Sequence, residues 1–115
     1  MSVTIYHNPR CSKSRQTLQL LQEREIDPDI VAYLDTPPDA AEIKRLLGLL
    51  GIGARDVMRK KEAAYKESGA DDPGLDEDAL IARIAANPIL LERPIVVSGD
   101  RAAIGRPPEK VLEIL

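Results

Sequence analysis

Within the first 24 residues the apolar side chains change period, and that switch restricts the chain to folds mixing strand and helix. Val3 and Ile5 alternate with Thr4 and Tyr6, the period of two expected of a strand with one buried face. His7-Asn8-Pro9 interrupts the pattern. Thr17, Leu18, Leu20 and Leu21 then recur at helical spacing, with Gln19, Gln22, Glu23 and Arg24 between them. Asp27-Pro28 predicts a turn, and residues 30–34 a second strand. Thr36-Pro37-Pro38-Asp39 predicts a helix start, followed by the stripe Ile43, Leu46, Leu47 and Leu50 and a stop at Gly51. Residues 54–59 and 61–67 read as short helices, the second with Glu62 and Lys66 at i, i+4. After a polar loop over residues 69–74, Asp76 is placed to cap a helix bearing Leu80, Ile81 and Ile84, which Asn87-Pro88 ends. Ile95-Val96-Val97 reads as a buried strand, Ser98-Gly99-Asp100 as a hairpin turn and residues 101–104 as the partner strand. Gly105-Arg106-Pro107-Pro108 leads into a last helix carrying Val111, Leu112 and Leu115.

The predicted order is β-α-β, a run of helices, then β-β-α. It resembles the thioredoxin arrangement: an α/β fold with a mixed sheet, here with a helical insertion over about residues 36–90. A length of 115 residues predicts a single domain over residues 1–115. Its core must be aliphatic, because Tyr6, Tyr33 and Tyr65 are the only aromatic residues. With 16 Lys and Arg against 19 Asp and Glu, the net charge of −3 argues against a protein that coats nucleic acid or anionic lipid. No apolar run approaches the roughly 20 residues needed to span a membrane. Residues 1–6 show neither a basic stretch nor a long apolar one, so the expected location is cytoplasmic.

Cys11 is the only cysteine and His7 the only histidine. An internal disulfide is impossible, and a Cys/His metal site could draw just two such ligands from one chain. A lone cysteine can be nothing more than a small buried hydrophobe. Here, however, Cys11 falls after the first strand and at the start of the first helix, where unpaired N–H groups favour an anion. Arg10, Lys13 and Arg15 add positive charge, and both effects favour thiolate over thiol. A free cysteine with a pKa of about 8.5 is about 3% thiolate at pH 7. Lowering that value by about two units makes it about three-quarters thiolate. The same donors suit a tetrahedral oxyanion. Ser12 and Ser14 can donate to the sulfur or to the anion, or be ordinary first-turn residues. His7 fits a structural or electrostatic role better than that of general base. A redox pair of the Cys-x-x-Cys type is missing its second cysteine, since Ser14 stands there. A Cys-x5-Arg phosphatase loop is missing its arginine, since Thr17 stands there. What remains is monothiol chemistry that needs a second thiol from outside.

The segment His7-Asn8-Pro9-x-Cys11 with Ser14-Arg15 resembles the active-site segment of the ArsC family, thioredoxin-fold arsenate reductases that depend on glutaredoxin. The resemblance continues through Ala54-Arg55-Asp56, Arg59-Lys60-Lys61-Glu62 and Tyr65-Lys66. It extends through residues 87–96, including Arg93-Pro94, and through Ile104-Gly105-Arg106-Pro107-Pro108-Glu109. It implies Cys11 as the nucleophile and Arg59, Arg93 and Arg106 as the oxyanion-binding residues, supported by His7, Ser14, Arg15 and Pro94. It also implies a cis Arg93-Pro94 bond placing that backbone beside Cys11. Cys11 would attack arsenate, glutathione would serve as co-substrate with no bound cofactor, and glutaredoxin would be the protein partner. Ser12-Lys13 follow the cysteine where members established as arsenate reductases typically have Gly-Thr, and the chain ends soon after its last predicted helix. Both features point to a shorter branch of the family. Two alternatives come from other resemblances. One is an Spx-type regulator that binds RNA polymerase, although the Cys-x-x-Cys switch common there is absent. The other is a monothiol reductase of a different substrate.

Overall fold

A computed structural model describes residues 2–115. The elements are β1 (Val3–Tyr6), α1 (Ser12–Glu23), β2 (Asp29–Val31), α2 (Ala40–Leu50), α3 (Ala54–Val57), α4 (Ala63–Glu67), α5 (Glu77–Ala86), β3 (Ile95–Ser98) and β4 (Arg101–Ile104). Two 3₁₀ segments, Pro88–Leu90 and Pro108–Ile114, complete them. Contacts divide the chain into one unit running to Thr36 and resuming over Arg93–Leu115, and a second unit, Pro37–Glu92.

The first unit holds the mixed four-stranded sheet of a thioredoxin-like fold, in the order β2-β1-β3-β4. α1 supplies the crossover that parallel pairing of β1 with β2 requires, while β3 runs antiparallel to both β1 and β4. A two-residue turn, Gly99-Asp100, joins β3 to β4, and Gly99 takes φ 62°, which a side chain would resist. Register then decides what meets what. Tyr6 lies opposite Val31 on one side and Ile95 on the other, and Ile95 lies opposite Ile104. The segment after β1, the segment after β2, Arg93-Pro94 and Gly105-Arg106 therefore all emerge at one end of the sheet.

The core of this unit is mostly aliphatic, but not wholly as the composition suggested, because Tyr6 and Tyr33 are buried as well. Val3, Ile5 and Val96 from the sheet pack with Leu21 of α1 and with Val111 and Ile114, and Leu18, Ile26 and Ala103 lie against the cluster. Each large aliphatic side chain so buried contributes about 1.5–3 kcal/mol.

The predicted elements differ from the structure in informative places. The last helix is 3₁₀ throughout. Its buried residues, Pro108, Val111 and Ile114, are three apart, which is the period of that helix rather than of an α-helix. The second strand stops at Val31, because residues 32–36 fold into a turn in which Asp35 and Thr36 both donate to the Ala32 carbonyl. The helix expected over residues 54–59 ends at Val57, where Met58 bridges to Leu91, and the next begins at Ala63. Glu62 faces Arg59 at 3.3 Å, so it reaches back along the chain as well as lying one turn before Lys66.

In the second unit α5 packs against α2 and α3. Gly51 ends α2 at φ 70°. The Asp39 carboxylate accepts from the Glu42 N–H at 2.8 Å and the Asp76 carboxylate from the Ala79 N–H at 2.8 Å, satisfying donors the helices leave open. Asp39→Ala and Asp76→Ala should each lower stability by about 1 kcal/mol. Urea unfolding checks this, and an unchanged midpoint would show that water replaces the cap at no cost. Among the described residues no helix is long and apolar enough to cross a membrane.

Candidate thiolate and oxyanion site

Cys11 is the residue from which α1 starts. Its backbone is extended, with φ −94° and ψ 122°, and its carbonyl accepts from the Arg15 N–H at 3.0 Å. Its own N–H donates to the Asn8 carbonyl at 3.0 Å, closing a turn over residues 8–11. The Asn8 side chain caps the same turn by accepting from the Arg10 N–H at 3.0 Å. The sulfur is thereby held half-buried over the open end of the helix.

Beneath it the Ser14 hydroxyl is fully buried. It lies 2.6 Å from His7 Nδ1 and accepts from the Asn8 N–H at 3.0 Å. Burial, helped by the charge of Arg15, lowers the His7 pKa, so the ring is neutral at pH 7. The hydroxyl thereby joins the His7 ring and the Asn8 backbone in one hydrogen-bonded cluster. The sequence offered Ser14 Oγ as a donor to the sulfur or its anion. In the structure the hydroxyl is taken up by His7 and Asn8, and it is the Ser14 backbone N–H that reaches the thiol.

Two arginines approach Cys11 from the far end of the chain. Arg93 is 8% exposed, and its peptide bond to the buried Pro94 is cis. Arg106, also followed by a cis proline, is exposed. Its Nε donates to the Arg93 carbonyl at 2.9 Å and its Nη2 to Cys11 Sγ at 3.6 Å. The Gly105 N–H donates to the Pro94 carbonyl at 2.9 Å, fastening the β4 end to the segment before β3.

Opposing effects set the Cys11 ionisation. Burial pushes the thiol up. The backbone N–H groups of Ser14 and Lys13, with the charges of Arg93 and Arg106, outweigh it, and the thiol sits below its ordinary value. The sequence pointed to Arg10, Lys13 and Arg15 for those charges. First-turn side chains radiate from a helix whereas its free N–H groups point along the axis toward the sulfur. Lys13 therefore acts through its backbone, and Arg15 Nη1 donates to the Pro9 carbonyl at 2.8 Å. Alkylation of Cys11 by iodoacetamide should accordingly reach its plateau at lower pH than alkylation of free cysteine, whose pKa is about 8.5. The rate rises with pH as thiolate forms, and Arg93→Ala or Arg106→Ala should move its midpoint upward. A midpoint at or above the free value would remove the activated thiolate.

Cys11, His7, Ser14, Arg15, Arg93, Pro94 and Arg106 thus gather in the first unit at one end of the sheet. Arg59 belongs to the second unit, after α3, where it forms ion pairs with Glu62 at 3.3 Å and with Glu92 at 3.5 Å. Two further residues shape the site, both inside the motif segments read from the sequence but not counted there among the site residues. Asn8 braces the turn, and Gly105 permits the approach of its strand to α1. A Cβ at Gly105 would lie 2.5 Å from Thr17 Oγ1, and an isolated glycine at a strand end is the signal for such an approach. Chemically, the cluster joins a nucleophilic sulfur, free helix N–H groups and two guanidinium groups suited to hold an oxyanion. Among the described residues no three His, Cys, Asp or Glu side chains are grouped to hold a metal ion.

The sequence matches the model of the ArsC family over residues 6–114. It is 57% identical over 114 residues to the Escherichia coli (strain K12) protein called uncharacterized protein YfgD, covering 98% of this chain and 96% of that one. It is 54% identical over 114 residues to a Neisseria meningitidis protein named arsenate reductase, covering 98% of this chain and 97% of that one. Among solved structures, an arsenate reductase from Vibrio cholerae superposes with a TM-score of 0.97 at 54% identity, covering all of this chain and 98% of the other.

Proposed function

The chain belongs to the ArsC family, and on that footing we propose that it is an arsenate reductase using Cys11 as nucleophile and glutathione and glutaredoxin as reductants. The observation that carries the reading is the meeting of thiol and guanidinium: Arg106 Nη2 lies 3.6 Å from Cys11 Sγ at the open end of α1. Cationic groups beside the sulfur serve the reaction twice. They favour the thiolate before substrate arrives, and they hold the oxyanion and stabilise charge on the adduct afterwards.

In the proposed reaction the Cys11 thiolate attacks arsenic and displaces an oxygen as water or hydroxide, forming a sulfur–arsenic(V) bond. A glutathione thiolate then attacks the Cys11 sulfur. The electron pair of the sulfur–arsenic bond stays on arsenic, which leaves as arsenite, and a mixed disulfide joins Cys11 to glutathione. Glutaredoxin reduces that disulfide and restores the thiolate. Arg93 and Arg106 bind the oxyanion, His7 and Ser14 brace the loop, Arg15 fastens it at the Pro9 carbonyl, and Pro94 ties the segment before β3 to Gly105. The resemblance implies an oxyanion-binding role for Arg59 as well. Its ion pairs with Glu62 and Glu92 give that guanidinium a fixed geometry within its own unit.

The test is arsenite formation by the purified chain with arsenate, glutathione and glutaredoxin, each omitted in turn. Sustained turnover should need all three. Turnover with arsenate alone would overturn the external-thiol mechanism, and none under any combination would overturn arsenate as substrate.

A further inference from the structure

Two carboxylates stand beside Arg59, and backbone hydrogen bonds within the second unit put them there. Residues 57–59 and 90–92 form a short antiparallel pair around the bridge between Met58 and Leu91. The Arg59 N–H donates to the Leu90 carbonyl at 2.7 Å, and the Glu92 N–H donates to the Val57 carbonyl at 2.8 Å. Arg59 therefore stands opposite Leu90, and Glu92 lies two residues further along the facing segment. Diagonal neighbours of this kind are about 7–8 Å apart, within reach of long side chains. A turn supplies the second carboxylate. The Glu62 N–H donates to the Arg59 carbonyl at 3.2 Å, and the Glu62 side chain returns to Arg59 Nε at 3.3 Å.

The contacts hold the guanidinium without using up its donors. Glu62 approaches Nε at 3.3 Å and Glu92 approaches Nη1 at 3.5 Å, both longer than the about 2.7–2.9 Å of a charge-assisted hydrogen bond. Among the described residues the Arg59 side chain donates no hydrogen bond, and its Nη1 is closed to solvent. A tetrahedral oxyanion carries the paired acceptors that such a fork is missing. The Arg59, Glu62 and Glu92 side chains are 23%, 30% and 26% exposed, so solvent screens their attraction less than at an open surface. An arginine held in this way has already given up rotamer freedom that it would otherwise lose on gripping an anion.

We propose that Glu92 and Glu62 are positioning residues for Arg59, fixing its guanidinium for an oxyanion while touching neither the anion nor Cys11. The inference rests on the oxyanion role proposed for Arg59 above and names what makes that arginine effective. The carboxylates also carry negative charge, which by itself repels an anion. Positioning and repulsion therefore push affinity in opposite directions, and only the first depends on Arg59.

Sulfate calorimetry on the full chain separates them, in a cycle of Arg59→Ala, Glu92→Ala and the double variant. The hydrogen bonds that place residue 92 are made by its backbone and persist in every variant. Glu92→Ala should weaken sulfate about threefold, as for loss of one partly exposed ion pair. Glu92→Gln should regain most of that affinity, because its amide oxygen still accepts from a guanidinium. With Arg59→Ala already present, Glu92→Ala should weaken nothing further. Glu62→Ala and Glu62→Gln should repeat the pattern. Equal losses with and without Arg59 would overturn the proposal by making the glutamates merely structural. Tighter binding in Glu92→Ala with Arg59 present would overturn it by making the carboxylate a competitor of the anion. Full affinity in Arg59→Ala would leave nothing to position. Neither arsenate nor glutathione enters this measurement. Failure here with arsenate turnover intact would leave the reductase reading standing. Coupling as described in a chain that does not reduce arsenate would do the reverse.

Discussion

Arg93→Ala and Arg106→Ala chains should bind arsenate or sulfate about ten- to a hundredfold more weakly, the loss of one charge-assisted hydrogen bond worth about 1.5–3 kcal/mol. The two residues lie far from Cys11 in sequence, yet β-sheet register returns both to the same end of the sheet as the start of α1. Arg106 is held there by the Arg93 carbonyl at 2.9 Å, so removing the Arg106 side chain takes away a positioned donor rather than a waving one. Lysine at either position should restore only part of the affinity, because it keeps the charge and loses the planar fork. Iodoacetamide is neutral and gives the arginines nothing to hold. At a pH where the thiol is ionised in every variant, its rate with Cys11 should change little. Cys11→Ser should show the complementary behaviour: arsenite formation at background, with sulfate affinity retained or improved once the competing thiolate is gone. Calorimetry for the anion, beside alkylation and arsenite assays, separates these outcomes. Full anion affinity in a folded Arg93→Ala or Arg106→Ala chain would make that arginine structural and move the oxyanion site elsewhere.

Much of this architecture was legible because its signals are local. Alternation at Val3 and Ile5, the Gly99-Asp100 turn, the helix start near Asp39 and the acidic cap at Asp76 each express a preference that neighbouring residues determine. The elements misread are those decided by packing. Residues 32–34 carry strand-like composition, yet they fold back in a turn after only three residues of β2, an edge strand. The terminal segment shows apolar residues that fit either helical period. Its burial against β4 and α1 selects the three-residue repeat of Pro108, Val111 and Ile114.

At the site, the thiol could be identified from the sequence but its electrostatic neighbours could not. Arg10, Lys13 and Arg15 are close in sequence, but the charges that hold the thiol down belong to Arg93 and Arg106, which only the antiparallel pairing of β3 with β1 and β4 delivers. The resemblance to a family supplied those two numbers, and spacing alone would not have. Asn8 shows the same limit from the other direction. Its side chain and both backbone polar groups brace the turn before Cys11, but their partners appear only once His7, Ser14 and the first turn of α1 are stacked together.

Gly105→Ala should cost about 1–3 kcal/mol, the usual penalty for adding a methyl group where there is no room for it. The added Cβ would lie 2.5 Å from Thr17 Oγ1, 3.2 Å from Thr17 Cγ2 and 2.8 Å from Pro94 Cγ. Neither neighbour can yield easily. Thr17 is fully buried, and its hydroxyl donates to the Lys13 carbonyl at 2.8 Å. Pro94 is a closed ring just before β3, and its carbonyl accepts from the Gly105 N–H itself. The strand end must therefore move away from α1, and Arg106, the next residue, moves with it. Stability and anion affinity should fall together for this reason, although Gly105 has no side chain to offer an anion. At about 4–8 °C per kcal/mol for a domain of this size, the loss is visible in Tm. The Thr17→Ala change removes both threonine contacts, so the double variant should be less destabilised than the sum of the single ones and should regain part of its anion affinity. Thermal unfolding and sulfate calorimetry on all four chains measure that coupling. Strict additivity, or a Gly105→Ala chain as stable as the original, would show that the strand end has slack and that Arg106 is positioned by its hydrogen bond to Arg93 alone.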